Sequence, residues 1–176
     1  LSRKEAIEII SRLSNPIIPE RPDYIERKHV PILMYHEINI LPQNGPTGLY
    51  VRQDNFIKQL DTLKEEGYHT ITMNQLYEHW ENNVPIPLKP IVLTFDDGYA
   101  SHYDFASIEL NKRGMTGTFY IISSAVEVDQ IRTAQRLKKM FEEGMEIGSH
   151  LVTHADARYS SNAKILSEYR ESKEYL

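Results

Sequence analysis

The apolar and polar positions of this chain alternate between short apolar runs and longer segments with helical periodicity. Five apolar runs predict β-strands. Each run is followed, directly or after a loop, by a segment in which apolar residues recur every three or four positions, which predicts a helix. The predicted strands are residues 30–35, 68–72, 91–95, 118–122 and 145–149. This strand–helix alternation is typical of a parallel sheet that is covered by helices.

The helical segments also carry end signals. Asp54 is expected to cap the first of them, which stops at Gly67. The apolar positions that define the five helices are, in chain order, Phe56, Leu60 and Leu63; Leu76 and Trp80; Phe105 and Ile108; Ile131, Leu137, Met140 and Phe141; and Ile165, Leu166 and Tyr169.

Right-handed crossovers between the strands would give either a barrel or an open sheet, and five strands are too few to close an eight-stranded barrel.

The first 28 residues have a different character from the rest of the chain. Ser2 and Glu5 form a capping-box pattern that predicts a short helix, and three prolines at positions 16, 19 and 22 predict an extended linker. The sequence therefore predicts an N-terminal helix and linker over residues 1–28 and a single domain over residues 29–176.

Composition excludes several classes of function. The chain has 176 residues with 40% hydrophobic and 26% charged residues, which is typical of one globular domain with a real core. Its formal net charge of -5 disfavours nonspecific binding to nucleic acid. It has no cysteine, which excludes disulfides and thiolate chemistry, and no apolar run long enough to predict a transmembrane helix.

Chemistry-bearing side chains follow two of the predicted strands. Asp96 and Asp97 come directly after the third strand, and His150 follows the fifth strand with His154 four residues later. Because the carboxyl ends of parallel strands meet at one edge of a sheet, we expect these four side chains to lie close together. Two imidazoles, one carboxylate ligand and one spare carboxylate are the groups of a metal site with a general base beside it.

Each pair also has an ordinary interpretation. Asp and Gly are common in turns, and two histidines four residues apart can simply share one face of a helical turn. However, adjacent carboxylates at a sheet edge repel each other, and a bound cation would offset that repulsion. A set of two histidines and one carboxylate suits Zn²⁺ or another divalent transition metal. His36 and Glu37 follow the first strand and should face the same edge, where we expect ordinary packing or solvation for both.

These motifs resemble those of the polysaccharide deacetylase family, which is also called the NodB-homology domain. The resemblance lies in residues 94–99, in residues 144–150 together with His154, and in the strand region 113–121. Residues 31–38 resemble the opening strand of the branch that includes the poly-N-acetylglucosamine deacetylases. The similar motifs occur in the family's order and at compatible spacing.

The resemblance implies a fold, a site and a reaction. The fold would be an α/β fold of the distorted (β/α) barrel type, with Asp96 as general base and the backbone N–H of Tyr99 at the oxyanion. Asp97, His150 and His154 would bind one divalent metal ion, with Zn²⁺ as first choice. The reaction would be hydrolysis of acetyl groups, N-acetyl on N-acetylglucosamine units first, from an extracellular or cell-surface polysaccharide.

The sequence departs from the family pattern at four points. The stretch from Ser123 to Asp129 looks short where relatives carry a longer loop with aromatic residues. Leu151 stands where the family usually has Ser or Thr, and Ala155 stands where a Pro is frequent. The family's later motifs, including the general acid, are expected beyond Leu176, so the domain is expected to be incomplete at its C-terminus. A glycan-binding domain of the same fold without turnover and an O-acetyl sugar esterase therefore remain alternatives. The polymer and the oligomeric state are left open by the sequence.

Overall fold

The computed structural model describes residues 29–126 and 133–176, and the helix and linker predicted over residues 1–28 lie outside this part. The described chain alternates strands and helices, which confirms the predicted α/β architecture. The strands are β1 Ile32–Tyr35, β2 His69–Ile71, β3 Pro90–Phe95, β4 Thr118–Ile121 and β5 Glu146–Ser149. The helices are α1 Gln53–Glu65, α2 Met73–Asn82, α3 Ser107–Lys112, α4 Ala134–Glu142 and α5 Asn162–Tyr175, and a π-helical segment, His102–Ala106, leads directly into α3.

All pairings between the described strands are parallel. The strand order is β1-β3-β4-β5, and β2 pairs with the first half of β3. Tyr35 is in register with Phe95, which is in register with Phe119, and Ile121 is in register with Ser149. The residues that follow β1, β3, β4 and β5 therefore emerge at the same edge of the sheet.

The centre of the sheet is strand β3, whose six residues are all buried. The Phe95 ring stacks between Tyr35 and Phe119, with ring centroids 5.3 Å and 4.4 Å away. Phe56 from α1 meets Phe95 edge-on at 5.9 Å. Stacked and edge-on contacts of this kind stabilise a core beyond the area that they bury. They fix the position of β3 one residue before the two aspartates.

The helix boundaries include one correction. Helix α1 begins after Arg52, and no side chain caps its N-terminus, so the expected cap by Asp54 is wrong. Asp54 instead lies in the first turn, where its carboxylate accepts a hydrogen bond from the Arg52 side chain at 3.0 Å. A negative charge in the first turn also interacts favourably with the positive end of the helix dipole. The predicted stop at Gly67 is confirmed, because this glycine takes a left-handed φ of 74° directly after the helix.

Several large apolar residues on the last two helices are exposed to solvent. Phe141, Leu166 and Tyr169 are exposed in the described structure, although their spacing had placed them with the apolar positions of α4 and α5. Ile131 lies outside the described residues.

Within residues 29–126 and 133–176, no helix combines the length and the apolar character that crossing a bilayer needs.

His102 is a buried polar residue beneath the sheet edge. Its ring meets the rings of Phe95, Tyr99 and Phe119 edge-on, and its Nε2 lies 2.6 Å from the His36 carbonyl oxygen. Burial lowers the pKa of His102 to about 4. The imidazole is therefore neutral in the folded chain, and Nε2 carries the proton that is donated to His36.

Gly117 provides a test of packing in this core. A Cβ there would lie 2.8 Å from Phe95 Cε2 and 3.2 Å from the Leu93 carbonyl oxygen. We expect Gly117→Ala to lower the free energy of unfolding by about 1–3 kcal/mol, because neither neighbour can move freely. Gly48→Ala is the matched control, since its Cβ would meet nothing within 4 Å. Chemical denaturation of both variants measures the difference, and equal stabilities would contradict the packing argument.

His102 predicts a pH dependence of stability. The unfolded chain takes up a proton near the ordinary pKa of 6.5, whereas the folded chain resists it down to about 4. Stability should therefore be lost as pH falls through this window, by about 3 kcal/mol in total. Denaturation of the metal-free protein at pH 7 and pH 4 measures the loss. His102→Gln should reduce the loss, and the exposed-site control His29→Gln should leave it unchanged.

Candidate metal centre

The two aspartates lie on a tight turn at the end of β3. The Asp96 N–H donates to the Tyr35 carbonyl oxygen at 2.9 Å, which continues the pairing with β1. Asp97 and Gly98 then take left-handed φ values of 75° and 72°. A Cβ on Gly98 would lie 3.3 Å from Ile121 Cδ1, so both the backbone conformation and the close approach favour glycine there. The turn therefore places both aspartates directly after the last buried residue of β3.

The two histidines lie on a loop at the end of β5. The His150 N–H donates to the Ile121 carbonyl oxygen at 2.8 Å, which fixes this residue next to the end of β4. Leu151 and His154 take left-handed φ values of 67° and 57°. The spacing of four therefore does not reflect a helical turn, which was the ordinary interpretation of this pair. The loop brings the two rings to a centroid separation of 4.7 Å.

Three side chains meet at the edge of the sheet. His150 Nε2 lies 3.1 Å from Asp97 Oδ1, and His154 Nε2 lies 3.6 Å from the same oxygen. One ligand atom from each of the three residues lies within 4.8 Å of the other two. The sequence predicted that these residues would share one edge, and the fold places them together; their role as metal ligands stays a prediction.

The donor set fits a divalent cation. Ligand atoms about 2.1 Å from a tetrahedral zinc ion lie about 3.4 Å from one another. The two distances from Asp97 Oδ1, 3.1 Å and 3.6 Å, bracket that value. Asp97 Oδ1 is also buried and has no hydrogen-bond partner among the described residues. A buried carboxylate oxygen that faces two imidazole nitrogens is the arrangement that a cation would satisfy.

Asp96 is half-buried next to these ligands but is not one of the three. Burial raises the pKa of its carboxyl, while nearby His150 and His36 act in the opposite direction. A carboxylate whose pKa is raised toward neutrality is a better proton acceptor from water than an ordinary one. This electrostatic setting is compatible with the general-base role that the resemblance implied.

Tyr99 lies just after the Asp97–Gly98 turn. Burial raises the pKa of its hydroxyl, and the neighbouring carboxylate of Asp97 adds to this effect. Its carbonyl oxygen accepts a hydrogen bond from the His102 N–H at 3.0 Å. These contacts involve the side chain and the carbonyl oxygen of Tyr99 and not its backbone N–H. The oxyanion role of that N–H stays a prediction.

Sequence reasoning missed one residue that contacts the histidine loop. Glu168 on α5 is buried, and its carboxylate accepts hydrogen bonds from the Val152 and Thr153 N–H groups at 2.8 Å and 2.7 Å. The available signal was helical spacing, because Glu168 follows Ile165 by three positions and precedes Ser172 by four. An acidic residue on the inward face of a helix is unusual and indicates a buried partner.

Similarity to known proteins is found over most of the domain. The polysaccharide deacetylase family matches residues 83–176. The Bacillus subtilis protein YxkH is 29% identical over 144 residues, which cover 82% of this chain and 50% of YxkH. The Bacillus cereus peptidoglycan-N-acetylglucosamine deacetylase is 32% identical over 101 residues, which cover 57% of this chain and 45% of that enzyme. The chain thus spans half or less of these two relatives.

The fold is also shared with a solved deacetylase structure. The Streptococcus pyogenes deacetylase PplD in complex with acetate superposes with a TM-score of 0.76 at 32% identity. The match covers 84% of this chain and 67% of PplD. Polysaccharide deacetylases have a (β/α) barrel fold, to which the five parallel strands described above correspond. Sequence and structure together place this chain in the polysaccharide deacetylase family.

Proposed function

We propose that this chain contributes to a metal-dependent hydrolase that removes acetyl groups from an extracellular or cell-surface polysaccharide. N-acetyl groups on N-acetylglucosamine units are the proposed target. The convergence of Asp97, His150 and His154 on one point, with Asp96 beside them, is the observation that carries this proposal. Two relatives support the substrate class, since one is a peptidoglycan-N-acetylglucosamine deacetylase and the other is a deacetylase solved in complex with acetate.

Asp97, His150 and His154 would hold the metal ion, and we propose Zn²⁺. Two imidazoles with one carboxylate leave coordination positions free for water and substrate, as catalytic zinc sites require. A divalent cation bound there supplies a Lewis acid that lowers the pKa of water and polarises a carbonyl group. The chain's own contribution is to hold three donors at one point before the cation arrives.

Asp96 would take a proton from the attacking water. Its carboxylate lies at the ligand cluster but is not itself part of the donor set, so it is available to accept a proton. Its raised pKa favours proton uptake. The Tyr99 backbone N–H, which follows the turn at Gly98, would donate a hydrogen bond to the developing oxyanion. The proton for the departing amine would come from a group other than Asp96, Tyr99 and the three proposed metal ligands.

Two other functions are separated by a direct assay of the protein. Acetate release is measured from an N-acetylglucosamine oligomer and from an O-acetylated glycan. Release from the N-acetyl substrate supports the proposal, whereas release only from the O-acetyl substrate identifies an esterase. Glycan binding without any acetate release identifies a binding domain, which the unusual residues Leu151 and Ala155 would then explain.

The metal site predicts a specific loss of metal. Asp97→Ala, His150→Ala and His154→Ala should each remove most of the bound Zn²⁺, because two remaining ligands do not retain the ion against dialysis. Metal analysis and circular dichroism on the same samples separate loss of metal from loss of fold. His29→Ala, at an exposed position distant in sequence from the cluster, is the control and should keep its metal. Full metal occupancy in the three variants would exclude this site.

Asp96 predicts a loss of turnover without loss of metal. Asp96→Asn keeps the size of the side chain but cannot accept the proton, so acetate release should fall about 10²–10⁴-fold. Metal content should stay at the wild-type level. Asp54→Asn, an exposed aspartate on α1, is the matched control and should keep full activity. Unchanged turnover in Asp96→Asn would remove this residue from the mechanism, and joint loss of metal would make it a ligand.

A further inference from the structure

The loop that carries both histidines has an unfavourable backbone. Leu151 has a φ of 67° and His154 has a φ of 57°, although neither is a glycine. Left-handed conformations are rare for a bulky residue such as leucine, and they persist only where surrounding contacts hold them. The contacts that hold residues 150–154 therefore decide where the two imidazoles lie.

One side of this loop is held by the segment after β4. The Ser123 N–H donates to the Leu151 carbonyl oxygen at 3.1 Å, and the Ser124 N–H donates to the Val152 carbonyl oxygen at 3.0 Å. The Leu151 N–H donates to Ser149 Oγ at 3.1 Å. The first two bonds fix the Leu151 and Val152 carbonyl groups and the third fixes the Leu151 N–H, so the N–H groups of Val152 and Thr153 need partners from elsewhere.

Glu168 satisfies both of these N–H groups from the opposite side. Its Oε2 accepts from the Val152 and Thr153 N–H groups at 2.8 Å and 2.7 Å. Its Oε1 accepts from Thr153 Oγ1 and pairs with the Lys164 ammonium, each at 2.7 Å. The Glu168 side chain is fully buried, so these donors replace its water.

The two amides that Glu168 binds belong to consecutive peptide groups between the histidines. Fixing two adjacent peptide planes restricts the backbone dihedrals at Val152, and hence the direction in which the chain leaves toward His154. Burial opposes ionisation of Glu168, but Lys164 and Thr153 outweigh it and lower the pKa of the carboxyl to about 2. The carboxylate is therefore charged near neutral pH and can accept all of these hydrogen bonds.

We propose that Glu168 is a positioning residue for the metal ligands, which orients the loop through the Val152 and Thr153 amides without contacting the metal or the substrate. This role rests on the proposed function, because it assigns a purpose to the geometry of His150 and His154. Ser172 on the same helix contacts the residue just before this loop, since its hydroxyl lies 2.6 Å from Ser149 Oγ, which in turn accepts a hydrogen bond from the Leu151 N–H. Helix α5 would then act as a brace behind the metal centre.

The loop can be tested without any metal. Amide hydrogen exchange is measured on the metal-free full chain for wild type, Glu168→Ala and Glu168→Gln. We expect exchange across residues 151–153 to be at least about tenfold faster in Glu168→Ala, because the carboxylate protects two of these amides. Exchange in β3 should be unchanged, which shows that the fold is intact. The control is Glu174→Gln, an exposed glutamate on the same helix, and it should match wild type.

Metal affinity then tests the positioning role itself. Titration with Co²⁺, followed by its visible absorption, gives the Kd and the geometry of the site. We expect the Kd of Glu168→Ala to rise about 10–100-fold with an altered spectrum, as is typical when the support of a ligand is removed. In Glu168→Gln one oxygen can still accept from both amides, so the change should be smaller. If the alanine variant does not fold, the glutamine variant carries the comparison with Glu174→Gln.

The outcomes separate this proposal from the proposed function. If Glu168→Ala binds Co²⁺ within twofold of wild type while His154→Ala loses it, the metal site stands and the positioning role of Glu168 is wrong. If the wild-type chain binds no Co²⁺, the proposed function fails and the positioning role falls with it. Faster exchange together with weaker Co²⁺ binding in Glu168→Ala, and in neither control, supports both.

Discussion

The stacking of Phe95 between Tyr35 and Phe119 is the contact on which the site depends. These three rings come from β1, β3 and β4; Tyr35 and Phe95 are the last residues of their strands, and Phe119 is the second residue of β4. Because the rings pack at 4.4–5.3 Å, the strand ends cannot slide along one another without disrupting the core. Asp96 follows Phe95 directly, so packing of the core sets the height at which the carboxylates emerge.

The site also depends on a second support that uses charge instead of packing. The turn after β3 holds Asp97 and Gly98 in left-handed conformations, and aspartate and glycine tolerate these better than other residues, whereas the loop after β5 places a leucine in a left-handed conformation. Such a loop needs more partners, and it obtains them from Ser123, Ser124 and the buried carboxylate of Glu168. The candidate metal centre therefore joins one part fixed by aromatic packing to another fixed by hydrogen bonds.

The alternation of strands and helices along the chain was predictable, because the burial of a strand or of one helix face leaves a pattern of apolar residues in the sequence. Strand β3 was visible as a continuous apolar run, and its structure is buried at every residue. The predicted capping role of Asp54 was wrong, because Arg52 holds the N-cap position and Asp54 is the second residue of the helix itself. The sequence placed the histidine pair at the correct edge of the sheet. However, the backbone between the two histidines is a loop with left-handed residues and not a helical turn.

The sequence by itself determined which side chains follow the strands, since apolar runs and the residues after them are local features of the chain. It thereby determined that Asp96, Asp97 and His150 would share one edge of a parallel sheet. Only the tertiary structure decided that Asp97 Oδ1 lies buried between two imidazoles, and that Glu168 reaches the loop from a helix beyond it. The reason is physical: these distances depend on strand register, on left-handed residues and on contacts between segments far apart in sequence, none of which leaves a local pattern.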